Sequence, residues 1–203
     1  MISDTKVVAI GGGTGLSTML KGLKLHTHNI TAVVTVADDG GSSGILRSDL
    51  GMLAPGDVRN CVSALAEVDP VMGELLNFRF KDGSLKGHSL GNLFLAALNE
   101  TSSSFDEAVK KFSHLTGVVG TVYPVTNESV TLSALLEDGR LIEGESHIGV
   151  HHDGPKNGIV KLMVNPEKPK AVDGVIKALE KADIIVLGPG SLYTSIIPNL
   201  LVD

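Results

Sequence analysis

The chain has almost no cysteine and no long apolar run. Cys61 is the only cysteine among 203 residues, which excludes an internal disulfide and a zinc site built from the cysteines of one chain. No apolar run approaches the 18 or more residues that a membrane-spanning helix needs. The first apolar run leads directly into a glycine-rich loop instead of a signal-peptide cleavage site. We therefore expect a soluble, cytoplasmic protein with no membrane partner.

Aromatic residues and basic clusters are also scarce. Aromatics make up 3% of the chain and tryptophan is absent, while 42% of residues are hydrophobic. Such a core of Val, Leu, Ile and Ala is typical of a parallel sheet covered by helices. The formal net charge is −6 and no basic block occurs, which argues against a nucleic-acid partner. The length fits one domain over residues 1–203, and apolar sheets of this class often pair, so a homodimer is an expected assembly.

The first loop organises the rest of the chain. An apolar run ending at Ile10 is followed by Gly11-Gly12-Gly13-Thr14-Gly15 and then by a helical pattern that begins at Leu16. This order predicts strand, glycine turn and helix, with the helix N-terminus directed at a phosphate. The match to a dinucleotide fingerprint is partial, because Leu16 stands where the last glycine is expected. A tight turn without ligand is the alternative, but four glycines in five residues favour a phosphate site.

A second glycine-rich loop carries two adjacent carboxylates. The apolar run 30–36 predicts a strand that ends in Asp38-Asp39-Gly40-Gly41-Ser42-Ser43. In a doubly wound sheet this position faces a ribose or a bound cation. We predict that Asp38 and Asp39 bind metal or act in catalysis, and that Ser42 and Ser43 contact the ligand. A simple Asp-Gly turn is the alternative.

Further candidates follow in the next two helices. Arg47 is either a phosphate clamp or a surface arginine, and Asp57 is expected to be the N-cap of a helix. Cys61 lies in the apolar stripe of that helix, so we interpret it as core packing. His88 and Asn92 lie one turn apart at the start of an apolar helix and can face one ligand, although a histidine in this place is often a structural or capping residue. Asn92 needs a buried partner, for which the ligand is one candidate.

The pattern then changes from helical to alternating. The segments 118–122, 130–136 and 141–148 alternate apolar and polar residues, and Asp138-Gly139 is a hairpin signal. We therefore expect a β-rich subregion at about 117–165. A cluster of histidines and one aspartate follows, which we interpret as a solvated loop and not a metal site: His147, His151, His152 and Asp153.

The last strand ends in a fourth loop of small residues. Residues 171–182 predict a helix and 183–187 a central strand covered on both faces. The loop after this strand should face the first glycine loop across a crevice, because parallel strands end at the same edge of a sheet. The predicted ligand-binding residues of this loop are Gly188, Gly190, Ser191 and Tyr193. The chain ends soon afterwards, so we expect it to lack the C-terminal part of a longer protein.

These motifs occur in an order that resembles one known family. The glycine loop at 11–15, the loop at 38–44, Pro55-Gly56-Asp57-Val58-Arg59-Asn60, Gly87-His88-Ser89-Leu90-Gly91-Asn92 and the run that begins at Gly188-Pro189-Gly190 are similar to the family that joins 2-phospho-L-lactate transferase (CofD) with the bacterial gluconeogenesis factor (YvcK). The final run is closer to the gluconeogenesis-factor branch.

The resemblance implies a fold, a site and two functions. The fold would be a Rossmann-like three-layer α/β/α sandwich with a mostly parallel sheet. Gly12, Gly13, Thr14 and Gly15, with Gly190 and Ser191, would hold phosphate. One function is a regulatory protein that binds a UDP-sugar or a dinucleotide such as NAD and supports cell shape and cell-wall precursor supply on gluconeogenic carbon sources. The other is a Mg²⁺-dependent transferase that moves a phospholactyl-like group from a nucleoside diphosphate donor.

Overall fold

The computed structural model describes residues 3–151 and 157–203. The strands are β1 (Val7–Gly11), β2 (Ile30–Val34), β3 (Thr121–Pro124), β4 (Thr131–Leu136), β5 (Leu141–Glu143), β6 (Ile159–Asn165) and β7 (Ile184–Leu187). The helices are α1 (Gly13–Leu23), α2 (Gly41–Leu50), α3 (Gly56–Leu65), α4 (Pro70–Asn77), α5 (Leu90–Glu100), α6 (Phe105–Leu115), α7 (Glu145–His151), α8 (Asp173–Glu180) and α9 (Ile197–Leu200). A π-helical turn, Leu192–Ile196, leads into α9.

A four-stranded parallel sheet forms the centre of the fold. Its strand order is β3-β2-β1-β7, and every neighbouring pair is parallel. All five residues of β1 are buried, as expected for a strand with helices on both faces. The two loops that follow β1 and β7 therefore emerge at the same edge of the sheet, as predicted.

Helices cover the two faces of this sheet. One apolar cluster joins the sheet to α1, α3, α5 and α6, and includes the fully buried Leu16, Cys61 and Phe112. A smaller cluster on the other face joins Val8 and Val33 to Val175 of α8. This is the predicted Rossmann-like α/β/α architecture, and the assignment of Cys61 to the core is confirmed. In the described part of the chain, no helix is long and apolar enough to cross a membrane.

A three-stranded antiparallel sheet, ordered β5-β4-β6, forms the β-rich subregion. The hairpin at Asp138-Gly139 is confirmed, with Gly139 at a φ of +84°. Two predicted strands have other bounds than expected. The first begins at Thr121 and joins the parallel sheet as β3, and the third ends at Glu143. Gly144, at a φ of +99°, terminates that strand and α7 begins at Glu145.

Two further predictions need correction. The strand β7 lies at the edge of the sheet that this chain forms, and Ile184 and Ile185 are 49% and 53% exposed. Its four aliphatic residues indicated a central strand, but the apolar composition of a strand does not specify its place in the order. Asp57 is not an N-cap, because Pro55 occupies that position and Asp57 lies in the first turn of α3.

Candidate functional site

The loops after β1 and β7 meet over a cavity of about 280 Å³ at the carboxyl edge of the sheet. The two loops and three acidic side chains line it, and the lining residues are Gly12, Gly13, Thr14, Gly15, Asp38, Asp57, Glu145, Pro189, Gly190, Ser191 and Ser195. Seven of these residues were predicted from the sequence as site residues. They come from the loops that follow β1, β2 and β7. The sheet topology therefore brings distant segments together as the sequence indicated.

Glycine is required where the two loops touch. A Cβ added at Gly15 would overlap the carbonyl oxygen of Pro189, and one added at Gly12 would lie 2.7 Å from Ser195 Oγ. A side chain at either position would push the loops apart. The glycines thus allow direct contact between two backbones and leave the cavity open beside them.

The first helix starts at this cavity without a side-chain cap. Its N-cap is Gly12, which supplies no side-chain hydrogen bond, and its first turn contains no acidic residue. The free N–H groups and the positive end of an 11-residue helix favour an anion such as a phosphate. One of these donors is already used, because the N–H of Gly13 donates to the Asp57 carboxylate.

Three carboxylates converge on the same cavity. Burial raises the pKa of Asp57 to about 6, and the neighbouring charge of Asp38 acts in the same direction. Burial also raises the pKa of Glu145, opposed by a hydrogen bond with the Thr194 side chain and reinforced by the charge of Asp38. Carboxylates gathered in this way are stabilised by a proton or by a bound cation.

Asp39 has a different place from the one predicted. Its two carboxylate oxygens accept hydrogen bonds from the backbone N–H groups of Glu145 and Ser146, each at 2.9 Å. Asp39 therefore caps α7 and holds Glu145 at the cavity. Asp39 is not among the residues that line the cavity, so this geometry does not place it beside Asp38 as the predicted metal ligand or catalytic base.

Arg47 joins structural elements. Its guanidinium donates to the carbonyl oxygens of Ala37 (3.4 Å), Asp38 (3.2 Å) and Val130 (2.9 Å). The two alternatives drawn from the sequence were a phosphate clamp and a surface arginine; Arg47 is instead half-buried against these carbonyl groups and does not line the cavity. It connects the loop after β2 to the residue before β4.

A buried polar network contains four side chains, three of which were predicted to contact ligand. Ser42 Oγ lies 2.9 Å from His88 Nδ1 and accepts a bond from Asn92 Nδ2 at 3.1 Å. Asn92 Oδ1 in turn accepts from Arg59 Nε at 3.3 Å. The partner that Asn92 required is thus the protein itself. Ser42, His88 and Asn92 do not line the cavity, and the structural interpretation of His88 is favoured.

The other predicted residues support the loops. Ser43 Oγ accepts from the N–H of Gly56 at 3.2 Å, and the carbonyl of Gly11 accepts from Asn199 Nδ2 at 3.1 Å. Gly188 is buried against the Leu16 side chain, and Tyr193 packs partly buried against the main core. His147 lies in α7, and its Nδ1 donates to the carbonyl oxygen of Glu143. The side chain of His151, together with His152 and Asp153, lies outside the described part of the structure.

Sequence reasoning missed four lining residues. Asp57 was recognised only as a helix start, although it lies in the Pro-Gly-Asp motif. Pro189 and Ser195 lie within the predicted fourth loop but were not selected. Glu145 carries no local signal, because the α7 helix and its contact with Asp39 arise from the tertiary fold.

A larger cavity, about 350 Å³, lies at the opposite edge of the sheet. Its lining includes Lys6, His28 and Lys181 and none of the glycine loops or acidic residues described above. The smaller cavity is the better candidate because it is placed at the carboxyl ends of the strands, where ligands bind in open α/β sheets.

The fold and this cavity define a Rossmann-like α/β protein whose candidate site combines glycine loops with carboxylates. The family model described as 2-phospho-L-lactate transferase CofD matches residues 7–203. The chain therefore belongs to the CofD family, which confirms the resemblance found in the sequence.

The relatives support the gluconeogenesis-factor branch. A protein named gluconeogenesis factor from Bacillus subtilis is 48% identical over 200 residues, covering 97% of this chain and 61% of that protein. One of the same name from Halalkalibacterium halodurans is 48% identical, with 97% and 60% covered. The crystal structure of an upf0052 family member from Bacillus halodurans has a TM-score of 0.92 at 45% identity, covering 99% of this chain and 64% of that one. The chain thus spans about 60% of the length of these relatives.

Proposed function

We propose that the chain carries the nucleotide site of a gluconeogenesis-factor-type regulatory protein, with a nucleoside diphosphate, in particular a UDP-sugar, as its ligand. The observation that carries the proposal is the cavity where the uncapped start of α1 meets the loop after β7. Two glycine-rich backbones beside a helix N-terminus suit a diphosphate. Through this ligand the protein would serve the cell-shape and cell-wall precursor role that the resemblance implies.

The acidic side of the cavity supports a bound divalent cation. In the described ranges, no three His, Cys, Asp or Glu side chains form a group that could hold a metal ion. Mg²⁺, however, commonly takes one or two carboxylates and completes its shell with phosphate oxygens and water. Asp38 and Asp57 both line the cavity, and the charge of Asp38 raises the pKa of Asp57. We assign them as the candidate ligands in place of the predicted pair, Asp38 and Asp39.

The alternative function, a Mg²⁺-dependent transferase, is supported by one feature of Asp57. Its pKa of about 6 lies near neutral pH, where a general base works best. In this role Asp57 would accept the proton of an acceptor hydroxyl while the diphosphate is held by the glycine loops. The two functions differ in one measurable respect: the regulatory protein binds its nucleotide without converting it, whereas the transferase consumes its donor.

The test is ligand-dependent thermal unfolding. UDP-N-acetylglucosamine, UDP-glucose, NAD, NADP and GDP would each be added with and without Mg²⁺ to the wild type, to Asp38→Asn and to the exposed control Asp49→Asn. A ligand at about a hundred times its dissociation constant adds about 2.7 kcal/mol of stability. We expect a UDP-sugar to stabilise the wild type and the control, and Asp38→Asn to lose the Mg²⁺-dependent part.

Each outcome has a distinct meaning. Stabilisation by UDP-sugars supports the regulatory function if mass spectrometry detects no chemical conversion of the ligand. A Mg²⁺-dependent shift with GDP and consumption of the donor supports the transferase. No shift with any nucleotide would refute nucleotide binding by this chain, and an equal loss in Asp38→Asn and Asp49→Asn would refute the assignment of Asp38.

A further inference from the structure

A largely exposed segment lies between α3 and α5. It covers residues 70–87, which we call the α4 arm, and consists of α4 and of a turn in which the backbone of Phe80 bonds to Gly87 and His88. Leu76 is the one buried residue of the arm, three residues are half-buried, and all the others are exposed. Most of the surface of the arm is therefore free to contact another molecule.

The free face of the arm is apolar. Val71, Met72 and Leu75 of α4 are 64%, 47% and 45% exposed, and Phe78, directly after the helix, is 47% exposed. Their spacing of three and four residues makes them neighbours on one side of the helix. Single exposed apolar side chains are common on protein surfaces, but a contiguous group of them marks a surface that contacts another protein.

Opposite charges flank the two ends of this apolar face. Acidic residues precede α4 and mainly basic residues follow it, and all of them are exposed: Glu67, Asp69, Arg79, Lys81, Asp82 and Lys86. Within residues 3–151 and 157–203, none of these charges belongs to an ion pair within 4.0 Å. The surface of the arm thus has a negative end, an apolar middle and a positive end.

We propose that the α4 arm is a homodimer interface, in which α4 packs antiparallel against α4 of a second copy of this chain. A two-fold axis joins the same patch of both copies, so the patch must complement itself. In an antiparallel pair the acidic start of one helix lies beside the basic end of the other, and the two apolar faces cover each other. An anionic surface, such as a membrane or a nucleic acid, would attract one end of the arm and repel the other.

The test measures the oligomeric state by sedimentation velocity over an about hundredfold range of protein concentration, because a dimer dissociates on dilution. The wild type is compared with the double variant Met72→Gln/Leu75→Gln and with the control Leu115→Gln. Leu115 is 61% exposed at the end of α6. Glutamine has nearly the helix propensity of methionine and leucine, so the substitutions remove apolar surface and retain the helix. Urea unfolding verifies that each variant is folded.

We expect the double variant to weaken dimerisation at least tenfold and the control to dimerise like the wild type. Cross-linking supplies a second readout, because the chain's only cysteine, Cys61, is buried. A bifunctional thiol reagent should therefore join two copies of Leu75→Cys and leave Leu115→Cys monomeric.

Three results would overturn the proposal. The first is a wild type that stays monomeric at every concentration, whether or not it sediments with anionic phospholipid vesicles, and vesicle binding would assign the arm to a membrane surface. The second is a dimer that the double variant and the control weaken equally. The third is a dimeric protein in which Leu75→Cys does not cross-link. The arm contributes no residue to the glycine-loop cavity, so the dimer and the nucleotide site fail independently.

Discussion

Asp38 and Asp39 show how adjacent carboxylates take different roles. Asp38 lines the cavity, while Asp39 turns to α7 and accepts two backbone N–H groups. The carboxylate that joins Asp38 is Asp57, from another loop. Side chains that are neighbours in sequence point in different directions, so contact depends on the backbone of the loop and not on adjacency.

The protonation of Asp57 makes stability depend on pH. Its pKa is raised from 3.8 to about 6 in the folded protein, so the folded state holds this proton more tightly than the unfolded chain. The stabilising effect is complete below pH 3.8 and is lost as pH rises to about 6. The Asp57→Asn side chain cannot ionise. The variant should therefore be more stable than the wild type by roughly 2–3 kcal/mol at pH 7.

Urea unfolding in chelator at pH 4, 5, 6 and 7 measures this difference. We expect the advantage of Asp57→Asn over the wild type to grow between pH 4 and 6 and then to stay constant. The control, Asp49→Asn, lies at an exposed position of α2 and should follow the wild type. A constant difference across the whole range would show that the Asp57 carboxylate does not titrate as inferred.

At the scale of elements, the contact between the β1 and β7 loops depends on Gly15. Gly15→Ala should destabilise the protein by about 2 kcal/mol or more, because the new methyl overlaps the Pro189 carbonyl and must displace one loop. The same change should abolish nucleotide stabilisation, since both walls of the cavity belong to these loops. Thermal unfolding with and without the nucleotide measures both effects.

Gly22 provides a matched control in the same helix. A Cβ at Gly22 meets nothing within 4 Å, so Gly22→Ala should leave ligand binding intact and raise stability by a few tenths to about 1 kcal/mol through helix propensity. Equal behaviour of the two variants would mean that the loops tolerate a side chain at Gly15.

At the scale of the whole molecule, Arg47 joins the two sheets. It binds carbonyl groups after β2 and before β4, so replacing it leaves three partly buried acceptors without their donor. Arg47→Met should lower the free energy of unfolding by about 2 kcal/mol and weaken nucleotide binding, because the carbonyl of Asp38 is one of its partners.

Arg140→Met is the corresponding control, and urea unfolding compares the two. Arg140 is exposed and pairs with Asp138 within the hairpin, where an ion pair adds little to stability. If both variants lost the same stability, Arg47 would have to be regarded as an ordinary surface residue.

Local pattern identified most helices and the two central strands of the parallel sheet, and it located the loops that line the cavity. Apolar period and glycine position are properties of short segments, so a single sequence displays them. Glu145 and the α7 helix were missed, because the 141–148 alternation indicated a strand and nothing local marks the Asp39 cap.

The sequence alone determined that the chain is an α/β protein with glycine loops at the ends of β1 and β7, since parallel strands must end at one edge. Only the tertiary structure decided which side chains share the cavity. It placed Asp57 beside Asp38 and directed the Asp39 carboxylate to the backbone N–H groups of α7. It also buried the Arg59 guanidinium among side-chain amides. The physical reason is that such partners are far apart in sequence, and packing of the helices and the second sheet sets their distances.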